Sequence, residues 1–492
     1  MANLIKNPKV FVMPESGAFP SMKKISDYEW EIPKEGRMNV PVRIFASKKL
    51  MDKIKEDRTI EQARNMATLP GVLKNIVVLP DAHEGYGACI GGVAAHDAEN
   101  GVISPGEIGF DINCGMRLLR TNLNREEVEI KIKELLHQLS RDVPAGVGRS
   151  NIKVSDEELD NVLEKGAEWA VKNGYGNKED LEFCEENGGM MTADASKVSK
   201  HAKQRGCNQL GTLGSGNHFL EIQYVDEIFD KKIAEAFGIE KEGQIVIMIH
   251  CGSRGLGHQV CSDYLREMER AFPEVVAKLP DRDLIYAPIK HRLGKDYFAA
   301  MSAAANFAWC NRHIIGDKTK KAVKMFFQNA EIETVYDVAH NICKAEEHEI
   351  EGKMKKVYMH RKGATRAFGP GNKEIPKKYQ KVGQPIIIPG SMGTASYVLV
   401  GTEKAEEISF ASTAHGAGRE MSRHEALRRW TGEEIKKELE SKKIFIKSAS
   451  WKGIAEEAPG AYKDIDEVVE VSHQLGIGNK VARLKPIGVI KG

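Results

Sequence analysis

The alternation of apolar and polar positions divides the chain into blocks of distinct character. Residues 40–45 (V-P-V-R-I-F) read as a strand, and residues 48–65 carry helical spacing. The apolar run 75–80 (N-I-V-V-L-P) predicts a short buried strand opening onto Asp81, Ala82, His83 and Glu84. Residues 85–95 (G-Y-G-A-C-I-G-G-V-A-A) hold four glycines and no charge, which predicts tight turns and a further buried strand. Residues 125–205 turn Lys- and Glu-rich, with helical runs at 125–140 and 156–172. Glycine and histidine return over 206–260, around the apolar strand 245–250 (I-V-I-M-I-H). Residues 260–345 read as helical, with an Ala-rich stretch at 297–309, and residues 357–420 form the third glycine-rich block, including a strand at 385–388. Charged helices at 423–443 and a short strand at 487–490 complete the pattern.

The glycine-rich blocks are far apart but alike in composition, so they are expected to meet in one site. The expected fold is α+β: a single large domain over 1–492 with mixed sheets and glycine-rich loops. The segments 125–205 and 260–345 are then helical insertions or outer layers. A length of 492 residues would accommodate several domains, yet no repeat, low-complexity tract or Pro/Ser linker marks a boundary.

Composition narrows the classes. The 72 basic and 70 acidic side chains leave a formal charge of +2, so overall charge predicts neither a nucleic-acid nor a membrane partner, and any basic surface is local. No apolar run approaches the roughly 18 residues of a membrane span. Residues 1–8 (M-A-N-L-I-K-N-P) lack the apolar core of a signal peptide. The eight cysteines have no C-x-x-C pair or framework spacing, so free thiols in a reducing cytoplasm are expected.

Candidate chemistry centres on residues 106–117 (G-E-I-G-F-D-I-N-C-G-M-R), where Asp111 and Cys114 stand three apart between glycines. A carboxylate and a thiolate at that spacing can share one ion, and the pair suits Zn²⁺, Mn²⁺ or Co²⁺ better than Ca²⁺ or Mg²⁺. Alone, the motif fits a Gly-rich turn with one buried Cys and a capping Asp better than a metal pair. Three histidines extend it. His218 lies in G-T-L-G-S-G-N-H-F-L-E, His250 ends the apolar strand before C-G-S-R-G-L-G-H, and His340 follows Val338 and Ala339. His340, set among residues read as helical, suits a core position better than a ligand when taken singly. One carboxylate, one thiolate and three imidazoles exceed what a tetrahedral ion needs and are adequate for two adjacent ions.

Two loops, 389–394 (P-G-S-M-G-T) and 412–419 (S-T-A-H-G-A-G-R), read as cradles whose N–H groups hold an anion, supported by the Ser391 and Ser396 hydroxyls. No G-x-x-x-x-G-K-[ST] loop is present, nor the K-x-D-G lysine motif of ordinary nucleotidyl-transferring ligases. A nucleotidyl intermediate would need another nucleophile, and His415, between Ala414 and Gly416, is the best candidate.

These blocks, in this order from about residue 75 to Lys491, resemble the RtcB family of RNA-splicing ligases. The resemblance implies GTP- and Mn²⁺-dependent joining of RNA ends bearing a 2′,3′-cyclic phosphate or 3′-phosphate to 5′-hydroxyl ends. It implies that Asp111, Cys114, His218, His250 and His340 hold two Mn²⁺, with Cys114 bridging, and that His415 is guanylylated. It also implies a guanylate pocket of Asn217, His218, Phe219, Leu220, Glu221, His340, Asn341, Pro389, Gly390, Ser391, Met392, Ser396, His415, Gly416, Ala417, Gly418 and Lys491, with Tyr462 near the base. Glu221 would read the guanine N1/N2 edge and Lys491 its O6. Asp81 and Arg254 would sit near the RNA end, as catalytic residues beside His415. The basic runs 361–366 (R-K-G-A-T-R) and 377–381 (K-K-Y-Q-K) are candidate phosphate contacts or simply solvated faces.

The block 81–92 departs from the family pattern at Glu84, Ala88 and Cys89, which puts substrate preference in more doubt than chemistry; His83 is read as an outer partner. Archease is the partner the family implies, and a monomer is expected. The competing readings are a family member that only caps 3′-phosphate ends with GMP, a non-catalytic RNA-binding subunit, and a nucleotide-independent metallo-phosphodiesterase.

Overall fold

In a computed structural model, residues 21–146 and 150–492 are described. The signal-peptide reading of residues 1–8 lies outside them. Among the described residues, helices combine with two large, mostly antiparallel sheets, so the α+β expectation holds.

The first sheet has seven strands in the order Lys23–Lys24, Glu29–Ile32, Val42–Phe45, Ile76–His83, Ile90–Asp97, Lys353–Lys362 and Asn341–Ile350. The second runs Ile332–Ala339, Gly115–Asn124, Gln244–Cys251, Phe219–Ile228, Asn479–Lys491, Ser396–Val400 and Pro385–Ile388, with Phe445–Ser448 alongside Asn479–Lys491. The continuous apolar run Q-I-V-I-M-I-H-C is buried at every position, and this strand lies inside the second sheet, paired on both edges. A run covered on both faces has no reason to alternate.

The helices follow their caps. Asp156–Lys165 begins at Ser155, whose hydroxyl accepts from Glu158 N while the Glu158 carboxylate accepts from Ser155 N. The 48–65 stretch is two helices, Lys48–Ile54 and Thr59–Met66. Helix Arg292–Phe326 runs 35 residues, and its Ala-rich part is almost wholly buried. The small side chains let neighbouring elements approach closely.

Two expectations are corrected. Residues 260–345 are helical only as far as Phe326; beyond it, I-E-T-V-Y-D-V-A forms the strand Ile332–Ala339 against Gly115–Asn124. The β-branched and aromatic residues suit a half-buried pleat better than a helix. His340 therefore lies between strands of different sheets, where the chain crosses from one to the other. The final strand is also longer than 487–490: Asn479–Lys491 spans 13 residues. Pro486 is accommodated at a register shift between Pro486 and Gly488.

Candidate functional site

The site forms where ends of both sheets meet, in a cleft of about 1600 Å³. The second sheet sets the register. His250 faces Met116 on one neighbour and Phe219 on the other, and Lys491 faces Phe219. Cys114 lies just before Gly115–Asn124 and His218 just before Phe219–Ile228, so adjacent strand ends present Cys114, His218, His250 and Lys491 together.

Asp111 Oδ2 lies 2.9 Å from His218 Nε2. Cys114 Sγ is 3.5 Å from His218 Nε2 and 3.2 Å from His250 Nε2. Ligand atoms of Asp111, Cys114 and His218 all fall within 4.8 Å of one another. His340 stands further along the row, its ring 5.7 Å from that of His250 and 5.3 Å from that of His415.

The backbone is shaped around Asp111. Ser253 N donates to Asp111 Oδ1 at 3.1 Å, and a Cβ on Gly252 would come within 2.4 Å of that carboxylate, so only glycine fits there. The next residue, Arg254, takes φ = 56°, a conformation that side chains other than glycine rarely adopt. The Asp111–Cys114 loop is held from behind by Arg312, which donates to Asn113 O at 2.7 Å and pairs with Asp337.

The donor set fits a divalent cation. His218 Nδ1 is 3.1 Å from Leu213 O; a carbonyl only accepts, so Nδ1 carries the hydrogen and Nε2 turns toward Asp111 and Cys114. His250 Nδ1 and His340 Nε2 are buried without any hydrogen-bond partner. Burial, together with neighbouring charge at His218 and His415 for His250 and at His415 for His340, holds both rings far below the ordinary histidine range, in the neutral form that ligates. Burial first, and the Asp111 charge second, push the Cys114 thiol up to about 11. A thiol so placed ionises only with a cation beside it.

Across the cleft, His415 Nδ1 lies 2.5 Å from Asp81 Oδ2, which also accepts from His415 N at 2.9 Å and Gly416 N at 3.3 Å. Burial works to raise the Asp81 carboxyl, but the His415 charge and these hydrogen bonds outweigh it and keep it below the usual carboxylate range. Asp81 is fully buried beneath His415 and does not line the cleft. Gly418 (φ = 73°) carries the loop over it: a Cβ there would lie 2.1 Å from Asp81 O.

The other sequence-derived residues fall into two groups. Asn217, Phe219, Asn341, Pro389, Gly390, Ser391, Met392, Gly416, Ala417, Gly418, Tyr462, Arg254 and Lys491 line the cleft. Leu220, Glu221 and Ser396 do not. Leu220 points into the core on the opposite face of its strand, because side chains alternate. Glu221 is 2 % exposed and accepts from Gln223 Nε2 at 2.6 Å; that amide also donates to Ser396 Oγ at 3.1 Å. Burial pushes the Glu221 carboxyl up to about 7.

In the two loops expected to cradle an anion, four backbone donors are already engaged. Gly390 N already donates to Ser396 Oγ and Ser391 N to Thr394 Oγ1, while His415 N and Gly416 N are taken by Asp81. The run 361–366 is corrected. Arg361 pairs with Glu346 in the interior, Arg366 is buried against Glu185 and Glu374, and Lys362 donates to the carbonyls of Tyr86, Ala88 and Gly106. Lys377, Lys378 and Lys381 are exposed, away from the cleft. Ala88 and Cys89 are core residues, whereas His83 and Glu84 line the cleft.

Sequence reasoning missed Arg205, Gln209, His258, Arg419, Arg423, Lys452 and Glu457, which also line it. Buried Glu457 accepts from Arg423 Nε at 3.0 Å and from the Tyr462 hydroxyl, and lies 3.9 Å from Lys491 Nζ. Apart from His258, which closes the 250–258 block, and Arg419, within the 412–419 block, none stands in a glycine-rich motif.

Fold and site define a class: an α+β protein whose cleft joins a carboxylate–thiolate–imidazole set to an Asp-supported histidine. A family model described as "tRNA-splicing ligase RtcB" matches residues 62–492. Proteins named tRNA-splicing ligase RtcB are 55 % identical over 479 residues in Pyrobaculum aerophilum and 54 % over 477 in Thermococcus kodakarensis. A third, from Archaeoglobus fulgidus, is 55 % identical over 478 residues. Each alignment covers 96 % of this chain and 99 % of the relative. The chain belongs to the tRNA-splicing ligase RtcB family.

Proposed function

We propose that this chain, acting as one catalytic unit over 1–492, is a GTP- and Mn²⁺-dependent RNA ligase. It joins 2′,3′-cyclic phosphate or 3′-phosphate ends to 5′-hydroxyl ends in tRNA splicing or RNA repair. The observation that carries this reading is the Asp81–His415 pair beside the cation donor set. With Asp81 ionised, His415 donates Nδ1–H to it, and the Nε2 lone pair remains as nucleophile. Nε2 attacks the α-phosphorus of GTP; a P–N bond forms and the bond to pyrophosphate breaks. GMP then passes to the RNA 3′-phosphate, returning the lone pair to His415 and leaving an RNA(3′)pp(5′)G end. Attack by the 5′-hydroxyl expels GMP.

Two Mn²⁺ held by Asp111, Cys114, His218, His250 and His340 would neutralise and orient the phosphates. Arg254 and Arg423 offer guanidinium groups to phosphate from the cleft wall. Lys491 on the cleft wall supplies the donor that guanine O6 needs, with Glu457 3.9 Å from its ammonium, while Glu221, which would read the N1/N2 edge, lies buried outside the cleft lining. Eight free cysteines support work in a reducing cytoplasm, and among the described residues no helix is long and apolar enough to cross a membrane.

The test is incubation with α-labelled GTP and Mn²⁺. An acid-labile, alkali-stable label on the protein, absent in His415→Ala, is expected. Adding 3′-phosphate and 5′-hydroxyl RNA should yield sealed product; a capped end alone would identify a capping enzyme. No label on the wild type would sink the ligase reading.

A further inference from the structure

Away from the cleft, three other metal-ligating side chains converge. His96 lies in strand Ile90–Asp97, Glu107 closes the turn Pro105–Glu107, and His360 lies in strand Lys353–Lys362. All three are 0 % exposed, and one ligand atom of each lies within 4.8 Å of the others.

Their hydrogen bonds settle which nitrogen faces inward. His96 Nδ1 is 3.2 Å from Pro70 O, and His360 Nδ1 is 3.1 Å from Tyr358 O. Carbonyls only accept, so in both rings Nδ1 carries the hydrogen. That leaves Nε2 of each ring for the convergence, that of His96 at 2.8 Å from Glu107 Oε2. Glu107 Oε1 is buried with no partner, and the nearest donor to His360 Nε2 is Ser104 N, at the outer limit of 3.5 Å. Two lone pairs and a carboxylate sealed from water demand positive charge among them. A proton on His96 would answer only Oε2, leaving Oε1 and the His360 lone pair unmatched. One cation answers all of them: two imidazoles and a carboxylate using both oxygens make a closed four-donor set. Orientation of each ring by an Nδ1–H bond to a carbonyl is the support that ligating histidines ordinarily receive.

We propose that His96, Glu107 and His360 form a second site, structural rather than catalytic, for a borderline divalent cation of the Zn²⁺ class. The ion ties the turn Pro105–Glu107, four residues ahead of Asp111, to two neighbouring strands of the seven-stranded sheet. Among the described residues, the thiol hydrogen-bonded to these rings is that of Cys343, 3.7 Å from His360 Nδ1, the nitrogen that also faces Tyr358 O, so the proposed set carries no sulfur ligand. With no path from solvent, it enters as the chain folds.

The test uses the full chain carrying Cys114→Ala and His218→Ala, which removes the thiolate set of the cleft. It is expressed in minimal medium supplied with Zn²⁺ or with Co²⁺ and dialysed against chelator, and its metal is counted by mass spectrometry. One retained ion per folded chain is expected, and the cobalt form should show tetrahedral visible bands without thiolate-to-metal charge transfer. Adding Glu107→Gln, or separately His360→Gln, should lose the ion. A folded doubly substituted chain without a stoichiometric ion overturns the proposal and leaves a His96–Glu107 ion pair. So does an ion that survives both further substitutions. Should those variants fail to fold, the metal content and cobalt spectrum of the doubly substituted chain decide alone.

Discussion

The Asp111–Cys114–His218 set and the His96–Glu107–His360 set use the same device and reach opposite ends. In both, a carboxylate meets Nε2 of a histidine whose Nδ1 is committed to a backbone carbonyl. The first set lies against the cleft and includes a thiol, with two further imidazoles carrying unmatched nitrogens. The second is sealed and sulfur-free. Donor chemistry alone therefore does not separate a reactive centre from a fastening; access does. A set with open sides can admit phosphate oxygens, and a closed one can only hold structure.

The sharpest way to break this comparison is at the open set and its nucleophile. Cys114→Ala, like His415→Ala, should abolish protein guanylylation, read from labelled GTP, while the thermal midpoint barely moves. If Cys114→Ala labels normally, the open set is not the cation site. Asp81→Asn is next. It keeps the shape but lets the amide present N–H to His415 Nδ1, favouring the wrong tautomer. GMP transfer should fall about 100- to 10,000-fold with little change in GTP affinity.

The sealed set should fail in the opposite sense. Glu107→Ala removes the carboxylate that balances the proposed buried cation and should cost about 3–5 kcal/mol in denaturant unfolding. Labelling per folded molecule should stay within a few-fold of wild type. Loss of labelling without loss of stability would reverse the two roles.

A smaller effect separates the cleft from the interior by pH. Glu221, raised by burial to about 7, keeps a proton that the unfolded chain releases near the ordinary 4.5. Its contribution to stability is therefore present at low pH and is lost as pH rises from about 4.5 to 7. If Glu221 reads guanine as proposed, the ionised carboxylate can accept from both guanine donors and the protonated one from only one, so the KM for GTP should fall as pH rises through about 7, and Glu221→Gln should flatten that profile. The smallest effect belongs to the exposed lysines: Lys377→Ala with Lys381→Ala should leave stability within about 0.5 kcal/mol and ligation unchanged.

Much of the open site was legible because its signals are local. The D-x-x-C spacing, the glycines around it and the histidines in glycine-rich blocks all announce close backbone packing. His340 was obscured because a helix-like context was read across 260–345, when the chain there crosses between sheets. The basic run 361–366 misled for another reason. Arg361, Lys362 and Arg366 look like a solvated patch, yet each finds partners inside: Glu346, three backbone carbonyls, and Glu185 with Glu374. Side-chain type does not say whether a charge faces water or a buried counter-charge.

By itself, the amino-acid sequence determined the α+β class, most strands and helices, and the residue types able to ligate a cation or attack phosphorus. Period, capping and turn chemistry act over a few residues and can be read there. Tertiary structure alone decided that Asp81 lies under His415, 334 positions away, that Glu457 stands beside Lys491, and that His96, Glu107 and His360 converge out of reach of water. Each of these depends on sheet register and on which face of a strand is turned inward. A one-residue slip would send the same side chains to the opposite face, so the chemistry is set by distances that no local pattern encodes.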